Sequence, residues 1–154
     1  MATETEKAYA AGLIDGEGCI GMYNTRPKHE TRAMYFQVTV RVTMKYPDPI
    51  LFLYRVFGGS LTVSHFTYKG ERHEFPVWHA RNLQAEEFLR LIVPYLILKK
   101  AQAELVLTFC ELRRNTRAKM PRSERYSNEV LATYGEYVQK LKDMKRPAAN
   151  RLPV

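Results

Sequence analysis

The stretch Ala10-Ala11-Gly12-Leu13-Ile14-Asp15-Gly16-Glu17-Gly18 sets two carboxylates among three glycines at the end of an apolar, helix-forming run. The run starts with Thr3 and Glu6 at capping-box spacing, and Ala8, Tyr9, Ala10, Ala11, Leu13 and Ile14 continue it. Gly16 and Gly18 are expected to stop it. Asp15 and Glu17 then lie at a helix C-terminus, where the dipole disfavours negative charge. Carboxylates kept there, beside glycines that admit other backbone, point to a cation ligand. Spacing alone fits an ordinary glycine-terminated helix with solvated acids equally well.

Outward from this helix the chain reads as a mixed α+β domain. Residues 19–25 and 34–43 read as strands joined by a polar loop, Arg26 to Ala33. In the second strand Phe36, Val38, Val40 and Val42 alternate with Tyr35, Gln37, Thr39 and Arg41. A helix over 47–57 follows, with Asp48 as N-cap, Pro49 in the first turn and Gly58 at its end. Residues 60–68 and 73–81 form a second strand pair around Lys69-Gly70, with Leu61 and Val63 facing the core opposite Thr62 and Ser64. A helix is expected from Asn82 to Val93 and another over about 99–113, with Leu105, Phe109 and Leu112 at helical spacing. A last amphipathic helix carries Leu131, Tyr134, Val138 and Leu141 and ends before Pro147. Phe36 and Trp78 are expected in the core. The nonapeptide has no second copy.

The chain of 154 residues, 45% hydrophobic and 12% aromatic, suits one domain with a real core. No apolar run approaches the roughly 20 residues of a membrane span, so no membrane partner is expected. The acidic, polar N-terminus reads as neither a secretory signal nor a transit peptide. Cys19 and Cys110 lie far apart and read as two reduced thiols. The histidines, at 29, 65, 73 and 79, show no zinc-ligand spacing. A net charge of +8 favours a polyanionic partner. The charge falls in three clusters. Arg26, Lys28, Arg32, Arg41 and Lys45 form the first, and Arg113, Arg114, Arg117, Lys119, Arg122 and Arg125 the second. Lys140, Lys142, Lys145 and Arg146 form the third. Three clusters on one small chain favour a surface that tracks phosphates.

The nonapeptide resembles the LAGLIDADG motif of homing endonucleases. Gly12, Leu13, Ile14, Asp15 and Gly18 match its letters. Ala10 replaces the leading Leu, Gly16 an Ala, and Glu17 the last Asp. The segment Pro94-Tyr95-Leu96-Ile97-Leu98-Lys99-Lys100-Ala101-Gln102-Ala103 is similar to the part of that family that carries a basic active-site residue, at the position of Lys99. The order of elements also matches. The resemblance implies an α-β-β-α-β-β-α core over about residues 5–112, a four-stranded antiparallel DNA-binding sheet, and a C-terminal helical extension over about 113–146, all in a single domain spanning 1–154.

The chemistry the resemblance implies is metal-dependent hydrolysis of DNA phosphodiesters. Glu17 and the Gly16 carbonyl would hold Mg²⁺, with Mn²⁺ or Ca²⁺ able to occupy the same sites. Lys99 would be an electrostatic helper and Asp15 a supporting residue. The polar strand faces would read double-stranded DNA in the major groove. From the first strand pair the readers would be Tyr23, Thr25, Gln37, Thr39 and Arg41; from the second, Thr62, Ser64, His79 and Arg81. Arg26, Lys28, Arg32, Arg113, Arg114, Arg117, Lys142 and Lys145 would contact DNA too, the C-terminal ones through phosphates. One motif copy implies a homodimer built on the small residues Ala8, Ala11 and Gly12, a near-palindromic target, short 3′ overhangs and intron mobility. It would act inside the cell, in the compartment holding its target DNA. Rival readings are an RNA maturase that binds its host intron RNA, and a DNA-binding regulator without catalysis. The chain departs from the pattern at Met44 and Asp48, where some related enzymes carry a Gln and an Arg near the catalytic waters.

Overall fold

A computed structural model of the chain describes residues 1–25, 35–121 and 124–146. Arg26, Lys28 and Arg32 lie outside the described residues. Helix α1 spans Glu4–Glu17 and opens with both halves of the expected capping box: the Thr3 hydroxyl accepts from the Glu6 amide at 3.3 Å, and the Glu6 carboxylate accepts from the Thr3 amide at 2.8 Å. The helix does not stop at Gly16. It runs on to Glu17 and is capped at Gly18, the first residue of strand β1, Gly18–Thr25. A Cβ at Gly18 would lie 2.7 Å from the Ile14 Cα, so only glycine lets the chain pass from helix to strand without a loop.

Strands β2 (Tyr35–Thr43), β3 (Ser60–Tyr68) and β4 (Glu71–Arg81) complete an antiparallel sheet in the order β1-β2-β4-β3. The alternation read in β2 is realised: Phe36, Val38, Val40 and Val42 are buried beneath the helices. Strands β3 and β4 meet at Lys69-Gly70, both at positive φ, as a two-residue hairpin requires. With so short a turn the pairing extends out to Tyr68 and Glu71, and β4 starts two residues earlier than the composition indicates.

Two sequence expectations are corrected here. Helix α2 does span Pro47–Phe57, but its N-cap is Tyr46; Asp48 sits inside the first turn, where its charge complements the dipole. Leu61 and Val63 do not enter the core and are 40% and 54% exposed. Leu61 pairs with the fully buried Trp78, yet β3 is the edge strand and overhangs the helix layer that covers its neighbour.

The remaining helices are α3 (Leu83–Ile92), followed by a 3₁₀ turn at Val93–Tyr95, α4 (Lys100–Ala118) and α5 (Asn128–Met144). Helix α4 continues five residues beyond the expected end at 113. Phe36, Phe109 and Tyr134 form an aromatic cluster that joins sheet, α4 and α5, and the Trp78 ring N–H donates to the Gly58 carbonyl at 2.7 Å.

One buried charge ties α3 to α4. The Glu86 carboxylate is buried and accepts from Arg90 at 2.9 Å and from Arg114, while Arg90 also reaches Glu111 at 3.1 Å. Burial by itself would raise the Glu86 pKa; the two guanidiniums outweigh it and hold the carboxyl below its usual range. The double substitution Arg90→Ala/Arg114→Ala should therefore lower stability by about 3–5 kcal/mol, as breaking a buried pair does. Adding Glu86→Leu should recover much of the loss. Urea denaturation at neutral pH measures both effects.

Candidate active site and DNA-facing cleft

The C-terminal end of α1 is fastened by two residues that act on each other. The Asp15 carboxylate accepts three backbone N–H bonds: Ile97 at 2.7 Å and Leu98 at 3.2 Å on one oxygen, and Lys99 at 2.8 Å on the other. The Lys99 ammonium donates back to the Ile14 carbonyl at 2.8 Å and to the Asp15 carbonyl at 2.5 Å. Each side chain thus serves backbone groups of the other's segment: Asp15 the amides of residues 97–99, Lys99 the end-of-helix carbonyls of α1. The ammonium also offsets the negative end of the α1 dipole. Partial burial alone would raise the Asp15 pKa, but the three amides and the Lys99 charge prevail and lower it. Asp15 is therefore a tie between segments, with its oxygens turned away from the cleft that Glu17 lines.

Glu17 is the last residue of α1, and its exposed side chain reaches the cleft on the open face of the sheet. No hydrogen bond or ion pair holds it among the described residues. Beyond Ile14, whose carbonyl also accepts from the Gly18 amide, the last-turn carbonyls of α1 have no intrahelical donors of their own. Ile14 and Asp15 are served by Lys99, and the Gly16 carbonyl beside Glu17 is the next oxygen of that turn. A carboxylate and a helix-end carbonyl are hard oxygen donors of the kind Mg²⁺ or Ca²⁺ prefers. Among the described residues no group of three or more His, Cys, Asp or Glu side chains comes together, so one chain supplies only part of such a ligand set.

The cleft gathers most of the strand residues expected to read DNA. Tyr23, Gln37, Thr39, Arg41, Thr62, Ser64, His79 and Arg81 all line it together with Glu17. Thr25 is placed in β1, but its side chain lies outside the described residues. Register explains the convergence. Cys19, Arg41, His79 and Ser60 pair across all four strands in one row next to Glu17, and Gly21, Thr39 and Arg81 form the adjacent row. Gly21 lets the Tyr23 ring lie across this row: a Cβ there would come within 2.6 Å of that ring and 2.9 Å of the Thr39 hydroxyl, so both side chains would have to move. Neither Arg41 nor Arg81 has a carboxylate partner among the described residues, so both guanidiniums stand ready for an anion or a base edge. Partial burial, with Arg81 and Arg41 nearby, lowers the His79 pKa and keeps its ring neutral at pH 7. Cys19, Thr43 and Val77 also line the cleft and were not singled out from sequence; the period-2 alternation of their strands was the available signal.

The basic helix residues divide. Arg113 donates to the Phe36 carbonyl at 2.9 Å, Arg114 binds Glu86, and Arg117 donates to the Glu124 carbonyl at 3.0 Å. All three line a groove at the C-terminal half of α4 and none lines the cleft. Lys142 is exposed on α5. Lys145, just past the end of α5, places its ammonium 3.4 Å from the Cys19 sulfur. It shares a depression with Lys99, Gln102 and Arg146, where the buried Gln102 Oε1 has no protein partner. Arg146 was not among the expected contacts. Along α1, Ala8 and Gly12 are exposed, whereas Ala11 is fully buried in its own chain and stands apart from that outer stripe.

The Asp15 tie has a pH signature. A carboxyl with a depressed folded-state pKa contributes stability that is complete above the unfolded value, about 3.9, and is lost as pH falls through the folded value. Asp15→Asn should lower stability by about 1–2 kcal/mol at pH 7 and show a shallower decline in acid than the parent. Thermal melts between pH 2 and pH 7 test this.

No protein-family model and no curated protein sequence matches the chain. Solved structures do. The homing endonuclease I-CvuI, crystallised with a DNA target and Mg²⁺, superposes with a TM-score of 0.71 at 20% identity, over 97% of this chain and 87% of that one. The archaeal intron-encoded homing endonuclease I-Vdi141I, complexed with DNA, gives 0.67 at 14% identity over 97% and 89%. The LAGLIDADG homing endonuclease I-GzeII, in complex with its DNA target, gives 0.62 at 18% identity over 88% of this chain and 43% of that one. The chain has the LAGLIDADG homing endonuclease fold.

Proposed function

We propose that this protein is a site-specific DNA endonuclease that hydrolyses phosphodiester bonds with a divalent metal. The observation that carries the reading is the meeting of Glu17 with the strand-lined cleft at the end of α1. An exposed carboxylate stands where a duplex lying along the sheet would pass, beside the guanidiniums of Arg41 and Arg81, and none of the three has an ion-pair partner among the described residues. The likeness to DNA-bound homing endonucleases supports the same reading.

Glu17 and the Gly16 carbonyl would hold Mg²⁺, which when bound supplies a polarised phosphate and a more acidic water. The chain's own residues do the rest. Asp15 and Lys99 fix the helix end that presents Glu17. Lys145 and Arg146 place positive charge beside Lys99 for the phosphates that flank the cut. Arg41 and Arg81 are suited to guanine O6 and N7, Gln37 to adenine, and neutral His79 to hydrogen bonding without charge. An intron-RNA partner is less suited to this surface, because the deep, narrow major groove of an A-form helix does not admit a four-stranded sheet.

The active form in this proposal is a homodimer. One chain covers most of I-CvuI but less than half of the longer I-GzeII chain. Ala8, Gly12 and Gly16 are exposed along α1, and a Cβ at either glycine would meet nothing within 4 Å in the same chain, which leaves room for a second helix. Ile97 and Leu98, both highly exposed, flank the end of that stripe. Two copies would bring two Glu17 carboxylates over a near-palindromic site, cut both strands to leave short 3′ overhangs, and serve intron mobility in the compartment that holds the target DNA.

Two measurements test this. Purified protein should cut one long, near-palindromic site from a randomised duplex library with Mg²⁺ and none with EDTA. Glu17→Gln should keep affinity for that site and lose cleavage by at least a hundredfold; retained cleavage removes Glu17 from the mechanism. At Gly12 a Cβ meets nothing within 4 Å in the chain, and Gly12→Leu gains about 1 kcal/mol of helix propensity. It should stay folded by circular dichroism yet run as a monomer in light scattering, with double-strand cleavage lost. A Gly12→Leu dimer that still cuts would sink the α1 interface.

A further inference from the structure

The DNA-facing side of the sheet does not end at the polar cleft. Strand β3 continues from Thr62 and Ser64 to Phe66 and Tyr68, and β4 runs back from Val77 through Phe75 to His73. The register pairs Phe66 with His73 and Ser64 with Phe75, so period 2 puts these rings on the same face as the cleft residues. They form a continuous aromatic row. The Phe66 and Tyr68 rings are stacked at 6.2 Å and 14°, Phe66 lies 6.4 Å from His73, and His73 is stacked on Phe75 at 6.5 Å. The row is open: Phe66 is 53% exposed and Tyr68 55%. Stacked aromatics this exposed, contiguous with a polar cleft, mark a contact surface.

Charge and geometry select the occupant. The row continues the cleft where the unpaired Arg41 and Arg81 invite a polyanion. Phe66 is four residues past Thr62, or about 13 Å along the strand. For a strand lying along the groove this is nearly four base-pair steps of 3.4 Å. Phenylalanine offers no hydrogen bond to a base edge. In the major groove the apolar feature it can meet is the thymine C5-methyl group.

Resting on the DNA-binding reading above, we propose that the Phe66–Phe75 end of the sheet selects thymines in each half-site by apolar contact with their methyl groups, while the cleft reads its bases by hydrogen bonding. Specificity then has two chemistries along one surface. A thymine under this row is distinguished from uracil, and 5-methylcytosine substitutes for it better than cytosine does. Burial of one methyl corresponds to about a three- to fivefold gain in affinity.

The test starts from sites selected by the wild-type protein from a randomised duplex. Each thymine is replaced singly by deoxyuridine, and affinity is measured in Ca²⁺. A run of adjacent thymines in each half-site should lose about three- to fivefold per methyl. The variant Phe66→Ala/Phe75→Ala should bind dT and dU equally at those positions and keep its preferences elsewhere, with an unchanged melting temperature as the folding control. Selected sites with no preferred thymines, no deoxyuridine effect, or an effect that persists in the variant overturns the inference and leaves the endonuclease reading standing. A variant that changes its association state but not its deoxyuridine response assigns the row to a protein contact and also overturns it. Failure to select any DNA sequence removes both.

Discussion

The geometry of the site depends on the reciprocal tie between Asp15 and Lys99. A helix C-terminus carries about half a negative charge and unpaired carbonyls, an unfavourable place for two acids. Asp15 escapes the conflict by turning to three backbone amides of residues 97–99, and Lys99 returns a positive charge to the carbonyls of Ile14 and Asp15. The segment ahead of α4 is thereby docked on the end of α1. Only Glu17 is left to face outward.

The second constraint is the missing loop. Because Gly18 passes directly from helix to strand, Glu17 and the row through Cys19, Arg41, His79 and Ser60 belong to one rigid unit. A flexible connection would let carboxylate and sheet move apart, and a hydrolytic site tolerates errors of only about an ångström. Gly18 is fixed by sterics against the Ile14 backbone, whereas Gly12 and Gly16 are unconstrained within the chain. Inside a helix a glycine without an internal reason costs about 1 kcal/mol. In the proposed dimer, the two on this exposed stripe are where the partner helix comes close.

Much of this was legible in the sequence because local signals agreed with the global fold. The capping box of Thr3 and Glu6, the alternation of β2, and the Lys69-Gly70 turn each use short-range chemistry, and each of these three signals is realised in the structure. The errors fall where tertiary context decides. Leu61 and Val63 have the right period for a core strand, yet nothing in their sequence says that β3 is an edge. Asp48 has cap chemistry but sits two residues too late. Arg113, Arg114 and Arg117 read as a phosphate-binding run, and what the sequence does not give is that they also bond the Phe36 carbonyl, Glu86 and the Glu124 carbonyl, partners between 7 and 77 residues away. Of the site, the cleft residues were legible because strand parity sorts them. The Asp15 tie, spanning more than eighty residues, was not, and Asp15 alone reads as readily as a metal ligand.

Charge placement explains how two copies of such a site can approach. In the proposed dimer two α1 C-termini meet, each adding its dipole to a Glu17 carboxylate, and like charges a few ångströms apart repel strongly away from bulk water. Each chain carries the counterweight within the same unit: Lys99 on the helix end, and Lys145 and Arg146 in the depression beside it. The chain's basic character is thus divided by purpose: Arg90 and Arg114 tie α3 to α4, Arg113 ties α4 to β2, and in the proposed reading Arg41 and Arg81 on the sheet serve the polyanion.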